Sequence, residues 1–252
     1  MNRYVRHLSR IEFVVTYACT GCCKHCAEGG HGASGACVAP ETAAGVVRDI
    51  AGRYAVASVM AFGGEPLLFP ETVYAAHGAA AELGIPKRQL ITNGFFSRDP
   101  AGIRDVAGKL ARHGTNDVLL SVDAFHQETI PLEAVKAFAA EVKGAGVYLR
   151  VHPAWVVDKG HPNPYNRRTA EILAEFEEMG ILQSEGNAIV PKGNAAKYLS
   201  GYYDKSGEYT DPYEEDPADI RTVSIGPDGR VLNGNLYETD ILEILERYTP
   251  EI

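Results

Sequence analysis

The sequence predicts a parallel α/β fold made of six strand–helix units, and three observations carry that prediction. Short apolar, β-rich runs alternate with helical patterns along most of the chain, and such units in series favour a parallel sheet with right-handed crossovers. Glycine and proline punctuate the places where elements should stop or start. The polar signals fall at the C-terminal ends of the strand-like runs, the edge at which parallel βα sheets bind ligands. An eight-stranded barrel also fits ~250 residues, but only six units precede a change of pattern.

Ile11 to Tyr17 is the first strand-like run, and it ends at a cysteine cluster. A loop with Gly29, Gly30, Gly32 and Gly35 follows, and Pro40-Glu41 opens a helix through about Tyr54. Ser58 to Phe62 is the second strand, ending at Gly63-Gly64-Glu65-Pro66, with a helix from Pro70 to Leu83 that Gly84 stops. Gln89 to Thr92 is the third strand, ending at Asn93-Gly94, and its helix spans Pro100 to His113. Val118 to Val122 is the fourth, ending at Asp123, with a helix over Glu133 to Lys143. Val147 to Val157 and Arg167 to Met179 make the fifth unit, and Ile181 to Val190 the sixth strand, with a break near Glu185-Gly186. Beyond about Lys197 the chain changes to a Tyr- and acid-rich loop (Tyr202 to Asp219). A hairpin over Thr222 to Leu232 turning at Pro227-Asp228-Gly229 and a last helix over Thr239 to Arg247 complete it. Residues 1–196 are thus expected to form the main domain and 197–252 a small cap.

The 252 residues carry 24 Lys and Arg against 33 Asp and Glu, a formal charge of −9, with 45% hydrophobic and 23% charged residues. That is ordinary for a globular protein, and the acidic balance argues against a nucleic-acid partner. No apolar run approaches the ~18 residues of a membrane span. The start, Met1 to Val15, interrupts its short apolar stretch with Glu12, unlike a signal peptide. The expectation is a cytoplasmic protein.

Four of the five cysteines, Cys19, Cys22, Cys23 and Cys26, crowd one loop, and Cys37 follows. Adjacent Cys22 and Cys23 cannot both join local disulfides without strain, so the cluster reads as metal-binding or redox-active. Cys19, Cys23 and Cys26 form Cys-x3-Cys-x2-Cys. Thiolates are soft ligands for iron–sulfur clusters, zinc or copper(I). On a cubane cluster, three protein thiolates leave one iron open to a further ligand. The competing reading is a non-catalytic zinc or iron–sulfur protein, its zinc held by four of Cys19, Cys22, Cys23, Cys26, His25, His31 and Cys37. Zinc leaves Gly63-Gly64-Glu65 and the other strand-end residues without a role.

This pattern resembles the radical S-adenosylmethionine (SAM) superfamily. The resemblance implies a partial (β/α)6 TIM-type barrel in which Cys19, Cys23 and Cys26 bind one [4Fe-4S] cluster whose open iron chelates SAM. It places His25 where the family usually has an aromatic residue on the adenine side. By the same resemblance, Gly63, Gly64 and Glu65 hold the methionine amino group, and Ser121 and Asp123 sit at the ribose position. Asn93 at the third strand end joins these cofactor contacts, Arg150 matches an arginine for the methionine carboxylate, and Val190 opens a segment bordering adenine. Val223 to Leu232, with Gly234-Asn235-Leu236, is similar to the start of a SPASM domain, but Asn233 stands where its cysteine would be. The tail therefore reads as a shortened SPASM-like cap without a cluster.

The implied activity is reductive cleavage of SAM to a 5′-deoxyadenosyl radical that abstracts hydrogen from a substrate. A peptide or protein to be matured, epimerised or cross-linked is the favoured substrate, and small-molecule or cofactor biosynthesis is the alternative. A flavodoxin or ferredoxin is the implied electron donor. Two residues stand as candidates for catalysis beyond the cofactors: Cys37 as hydrogen donor and His126 as acid or base, each with a structural role as its rival. Trp155 and the tail tyrosines Tyr198, Tyr202, Tyr203, Tyr209 and Tyr213 read as packing.

Overall fold

The computed structural model describes residues 2–29, 35–204 and 214–250. Gly30, His31 and Gly32 of the glycine loop, and Tyr209 and Tyr213 of the tail, lie outside the described residues. In order, the elements are β1 (Arg10–Val14), α1 (Pro40–Ala51), β2 (Ser58–Phe62), α2 (Pro70–Glu82), β3 (Lys87–Thr92) and α3 (Pro100–Arg112). Next come β4 (Asp117–Ser121), α4 (Leu132–Gly144), β5 (Leu149–His152), β6 (Ala154–Trp155) and α5 (Pro164–Glu178). The chain ends with β7 (Leu182–Gln183), β8 (Asn187–Ala188), α6 (Gly193–Tyr198), β9 (Thr222–Ile225), β10 (Arg230–Val231), β11 (Gly234–Asn235) and α7 (Ile241–Arg247).

Local sequence explains the helix starts. Helices α1, α2, α3 and α5 each open on a proline, whose missing N–H costs nothing in the first turn. Asp99 caps α3 by accepting from the N–H groups of Ala101 and Gly102, and Asn163 caps α5 through Asn166. Seven strands form one parallel sheet in the order β7-β5-β4-β3-β2-β1-β9, the α/β architecture of a partial TIM-type barrel. Alternation along each strand sorts its two faces. Ile11, Phe13, Leu90, Val118, Leu120 and Val151 are buried in one apolar core with Ile50 of α1, Val73 of α2, Leu110 of α3, Phe138 of α4 and Phe176 of α5. The intervening residues Arg10, Glu12, Gln89, Asp117 and Arg150 face the inside of the barrel and bond to one another. Among the described residues no helix is long and apolar enough to cross a membrane.

The fifth strand, expected to be continuous, divides into β5 and β6 at Pro153, which has no N–H for a ladder. The sixth divides into β7 and β8 at the expected break, around Gly186, whose φ of 74° bends the chain under Pro153. A Cβ at Gly186 would lie 2.2 Å from the Pro153 carbonyl oxygen. Strands β6 and β8 then pair with each other, apart from the main sheet.

In the tail, the turn at Pro227-Asp228-Gly229 is closed by Gly226 N–H donating to Arg230 O at 3.0 Å. Its two arms part, however. Strand β9 joins the barrel sheet beside β1, in register Arg10↔Thr222 through Phe13↔Ile225, while β10 pairs antiparallel with β11. Val223, Ile225, Ile241, Ile244 and Leu245 belong to the same core as the barrel. The later part of the expected cap therefore extends the barrel at its β1 edge.

Candidate active site

The C-terminal ends of the strands enclose a cavity of about 360 Å³. It brings together Cys19, Cys23, His25, Cys26, Gly63, Gly64, Asn93, Ser121, Asp123, His126 and Val190 from the sequence expectations. Glu65, Arg150 and Cys37 are not in its wall. Cys22, surplus to the three-cysteine pattern, is exposed and turned outward, its N–H donating to Thr129 Oγ1 at 3.2 Å.

The cysteine loop is clamped on both sides. At its entry, Gly64 N–H donates to Thr16 O and Glu65 N–H to Ala18 O, both at 2.8 Å. A Cβ on Gly64 would lie 2.1 Å from the Ala18 oxygen, so only glycine permits this approach. At its exit, Asn194 donates its backbone N–H to Cys26 O (2.9 Å) and its side-chain amide to Cys23 O (3.1 Å) and Gly29 O (3.3 Å). Asn194 was not among the expected site residues. Its only sequence signal is its place after Gly193, whose φ of 52° lets the chain pass against the Ala27 carbonyl.

Glu65 is fully buried behind the strand ends rather than turned into the cavity. Its Oε1 accepts from Leu67 N–H (2.9 Å) and Thr92 Oγ1 (2.7 Å), and its Oε2 accepts from Asn93 N–H (2.8 Å). The carboxylate that the resemblance gives to an amino group here clamps the end of β3. Burial pushes its carboxyl up to about 7, against the three hydrogen bonds that favour the charge. Asn93 in turn directs its side-chain amide to Thr20 Oγ1 (3.2 Å) and toward Cys19 Sγ (3.6 Å).

Asp123, also fully buried, spends both oxygens inside the protein. Oδ1 accepts from the N–H groups of Phe125 and His126, each at 3.0 Å. Oδ2 bonds to His126 Nδ1 at 2.8 Å and accepts from Ala154 N–H at 3.1 Å. Burial opposes the charge on each partner, yet their attraction prevails, lowering the Asp123 carboxyl and raising the His126 imidazole. The His126 ring lies edge-on to His25, centroids 4.8 Å apart, and His25 packs on Phe125 at 5.1 Å. Burial lowers His25 to about 4, and its Nδ1 has no hydrogen-bond partner.

Arg150 is placed elsewhere than expected. Its Nη2 donates to Asp117 Oδ2 at 2.9 Å, and Asp117 is the first residue of β4, at the end of the sheet opposite the cavity. Cys37 forms an isolated antiparallel bridge with Thr16 beside β1, half-buried. His152, not foreseen, does line the cavity, but both ring nitrogens are engaged, Nδ1 with Ser184 Oγ (2.7 Å) and Nε2 with the Asn187 amide (2.9 Å).

The donor set suits an iron–sulfur centre. Burial raises the Cys19 thiol to about 11, Cys23 further, and Cys26 as well, so all three hold their protons until a cation displaces them. Cys23, His25 and His126 also place one donor atom each within 4.8 Å of one another, a group able to hold an ion. A parallel half-open barrel carrying three thiols on the loop after its first strand, with glycines pressed against that loop, defines a class. Residues 13–152, more than half of the chain, match the radical SAM superfamily, and the chain belongs to that superfamily of enzymes. The family's cofactors are a [4Fe-4S] cluster and SAM.

Solved structures agree on the fold. SuiB of Streptococcus suis, bound to SAM, superposes with a TM-score of 0.57 at 14% identity, covering 97% of this chain and 66% of SuiB. The anSMEcpe structure with bound AdoMet gives 0.59 at 15% identity, covering 95% of this chain and 80% of that one. Methylornithine synthase (PylB) gives 0.51 at 16% identity over 80% of this chain and 59% of the synthase. No curated protein is significantly similar to the chain.

Proposed function

We propose that this chain is a radical SAM enzyme acting on a peptide or protein, with Cys19, Cys23 and Cys26 as the cluster ligands. The observation that carries the reading is the meeting of those three thiols with Gly63, Gly64, Asn93 and Ser121 in one cavity. When bound, the cluster and SAM supply one-electron cleavage to methionine and a 5′-deoxyadenosyl radical, which takes a hydrogen atom from the substrate. The chain's own part is to hold and shield. Asn194 and the Gly63-Gly64 backbone fix the cysteine loop from two sides. With Glu65 internally bonded, the methionine end falls to the backbone at Gly63-Gly64 and to Asn93. Ile189, Val190 and Ala154 offer an apolar wall for the adenine ring.

The main sheet does not close on itself, since β7 and β9 are its two edges. An unclosed sheet suits a substrate as large as a peptide or protein. The fold likeness to anSMEcpe, solved with AdoMet and a Cp18Cys peptide, agrees with this. The electron is proposed to come from a flavodoxin or ferredoxin.

The test is anaerobic reconstitution with iron and sulfide, followed by dithionite and SAM, with 5′-deoxyadenosine as the readout. The nucleoside should form with wild type and vanish with Cys19→Ala, Cys23→Ala or Cys26→Ala. A chain carrying stoichiometric zinc, for example on Cys23, His25 and His126, and releasing no 5′-deoxyadenosine would contradict the proposal.

A further inference from the structure

Cys23, His25 and His126 all line the cavity, and one donor atom of each lies within 4.8 Å of the others. Two loops supply them: Cys23 and His25 follow β1, and His126 follows β4. Among the described residues three histidines line this cavity. His152 is bonded through both nitrogens, to Ser184 and Asn187, and is closed to a metal. The other two are open. His25 Nδ1 is buried with no hydrogen-bond partner among the described residues, a costly state for a polar atom. His126 gives its Nδ1 to Asp123 Oδ2 at 2.8 Å, so the neutral ring keeps its lone pair on Nε2.

That carboxylate is itself fixed. The N–H groups of Phe125, His126 and Ala154 hold its two oxygens. A carboxylate on the far nitrogen of an imidazole is the outer support of many metal-binding histidines, setting the tautomer and turning the ring. One thiolate and two imidazoles are a donor set for zinc. Ligands at about 2.0–2.3 Å from tetrahedral zinc lie about 3.3–3.8 Å apart, so these donors need to close by only about 1 Å. The fourth position is left to water or to a ligand in the cavity.

We propose that the cluster-free chain binds one Zn²⁺ on Cys23 Sγ and the open nitrogens of His25 and His126, with Asp123 as the positioning residue behind His126, and that this ion and the cluster exclude each other. Zinc displaces the Cys23 proton to solvent, and no electron is transferred. The site stands on its three donors. The exclusion rests on the cluster reading, because Cys23 belongs to both donor sets and a terminal thiolate serves one centre. Zinc thus acts as a brake on cluster loading, and it is absent from the reconstituted chain.

The test titrates Zn²⁺, and Co²⁺ as its coloured substitute, into the full chain stripped of metal by a chelator under anaerobic conditions. Wild type should bind one ion per chain and show a cobalt–thiolate charge-transfer band that Cys23→Ala lacks. His25→Phe, His126→Phe and Asp123→Asn should each bind zinc at least about tenfold more weakly, with melting temperature as the check on folding. Should His126→Phe melt early, His126→Gln, whose amide can still bond to Asp123, takes its place. Zinc affinity unchanged by the histidine substitutions overturns the site. In the second arm, zinc-loaded wild type should take up almost no iron from iron and sulfide until a chelator removes the zinc. Full iron uptake with zinc still bound overturns the exclusion. Zinc-free wild type that assembles no cluster overturns the cluster reading instead, while the zinc affinities still decide the site.

Discussion

The side-chain amide of Asn194 donates to the carbonyl of Cys23 at 3.1 Å, joining the first turn of α6 to the loop of cysteines far away in sequence. The bond fixes backbone geometry around the most buried thiol of the three. The last barrel connection therefore helps to shape the cysteine loop.

Asn194→Ala removes this bond and its partner to Gly29 O but keeps the backbone bond to Cys26. Loss of two such bonds should cost about 1–3 kcal/mol locally. The reconstituted variant should lose iron to a chelator at least fivefold faster than wild type, with little change in global melting temperature. Equal rates of loss would show that α6 does not support the loop.

Glu65 sets a pH dependence whose sign follows from burial. Its carboxyl is raised from 4.5 to about 7 in the fold, so the folded chain holds more protons than the unfolded one across that window. Its contribution is fully present below pH 4.5 and is lost as pH rises toward 7, by about 3 kcal/mol in all. Glu65→Gln abolishes this titration. Urea unfolding of the metal-free chain at several pH values should give a wild-type-minus-variant difference that falls as pH rises through the window. A constant difference would contradict the assignment.

Arg150 tests where the strand alternation leads. Its ion pair with Asp117 is partly exposed, 30% and 15% of the two side chains, and is worth about 1 kcal/mol or less. Arg150→Ala should lower the melting temperature slightly and leave the dissociation constant for SAM unchanged. A tenfold weaker SAM affinity would restore the role that the resemblance gives this arginine.

Much of this was legible in the sequence because it is local. Prolines at helix starts, Gly84 after α2 and the alternation in β1 to β4 act within a few residues of themselves. The cysteine spacing and Gly63-Gly64 were equally plain. What the sequence hid was decided at long range or by competition. Strand β9 reads as a hairpin arm beside its own turn, and its pairing with β1 spans more than two hundred residues. Arg150 carries no sign of whether it will turn up to a ligand or down to Asp117. Asp123 and Glu65 look like free carboxylates in a motif, because the donors that engage them come partly from other segments, such as Ala154 and Asn93. One of these had a signal: the three-residue spacing of Asp123 and His126 suits a local Asp–His bond.

The central claim is that Cys19, Cys23 and Cys26, and not Cys22, hold a cluster with one iron open to SAM. Electron paramagnetic resonance of the reduced, reconstituted protein with and without SAM addresses it directly. The account predicts a [4Fe-4S]⁺ signal whose shape changes on adding SAM, kept in Cys22→Ala and absent in Cys19→Ala, Cys23→Ala and Cys26→Ala. A signal that Cys22→Ala abolishes, or one that SAM leaves untouched, would contradict it.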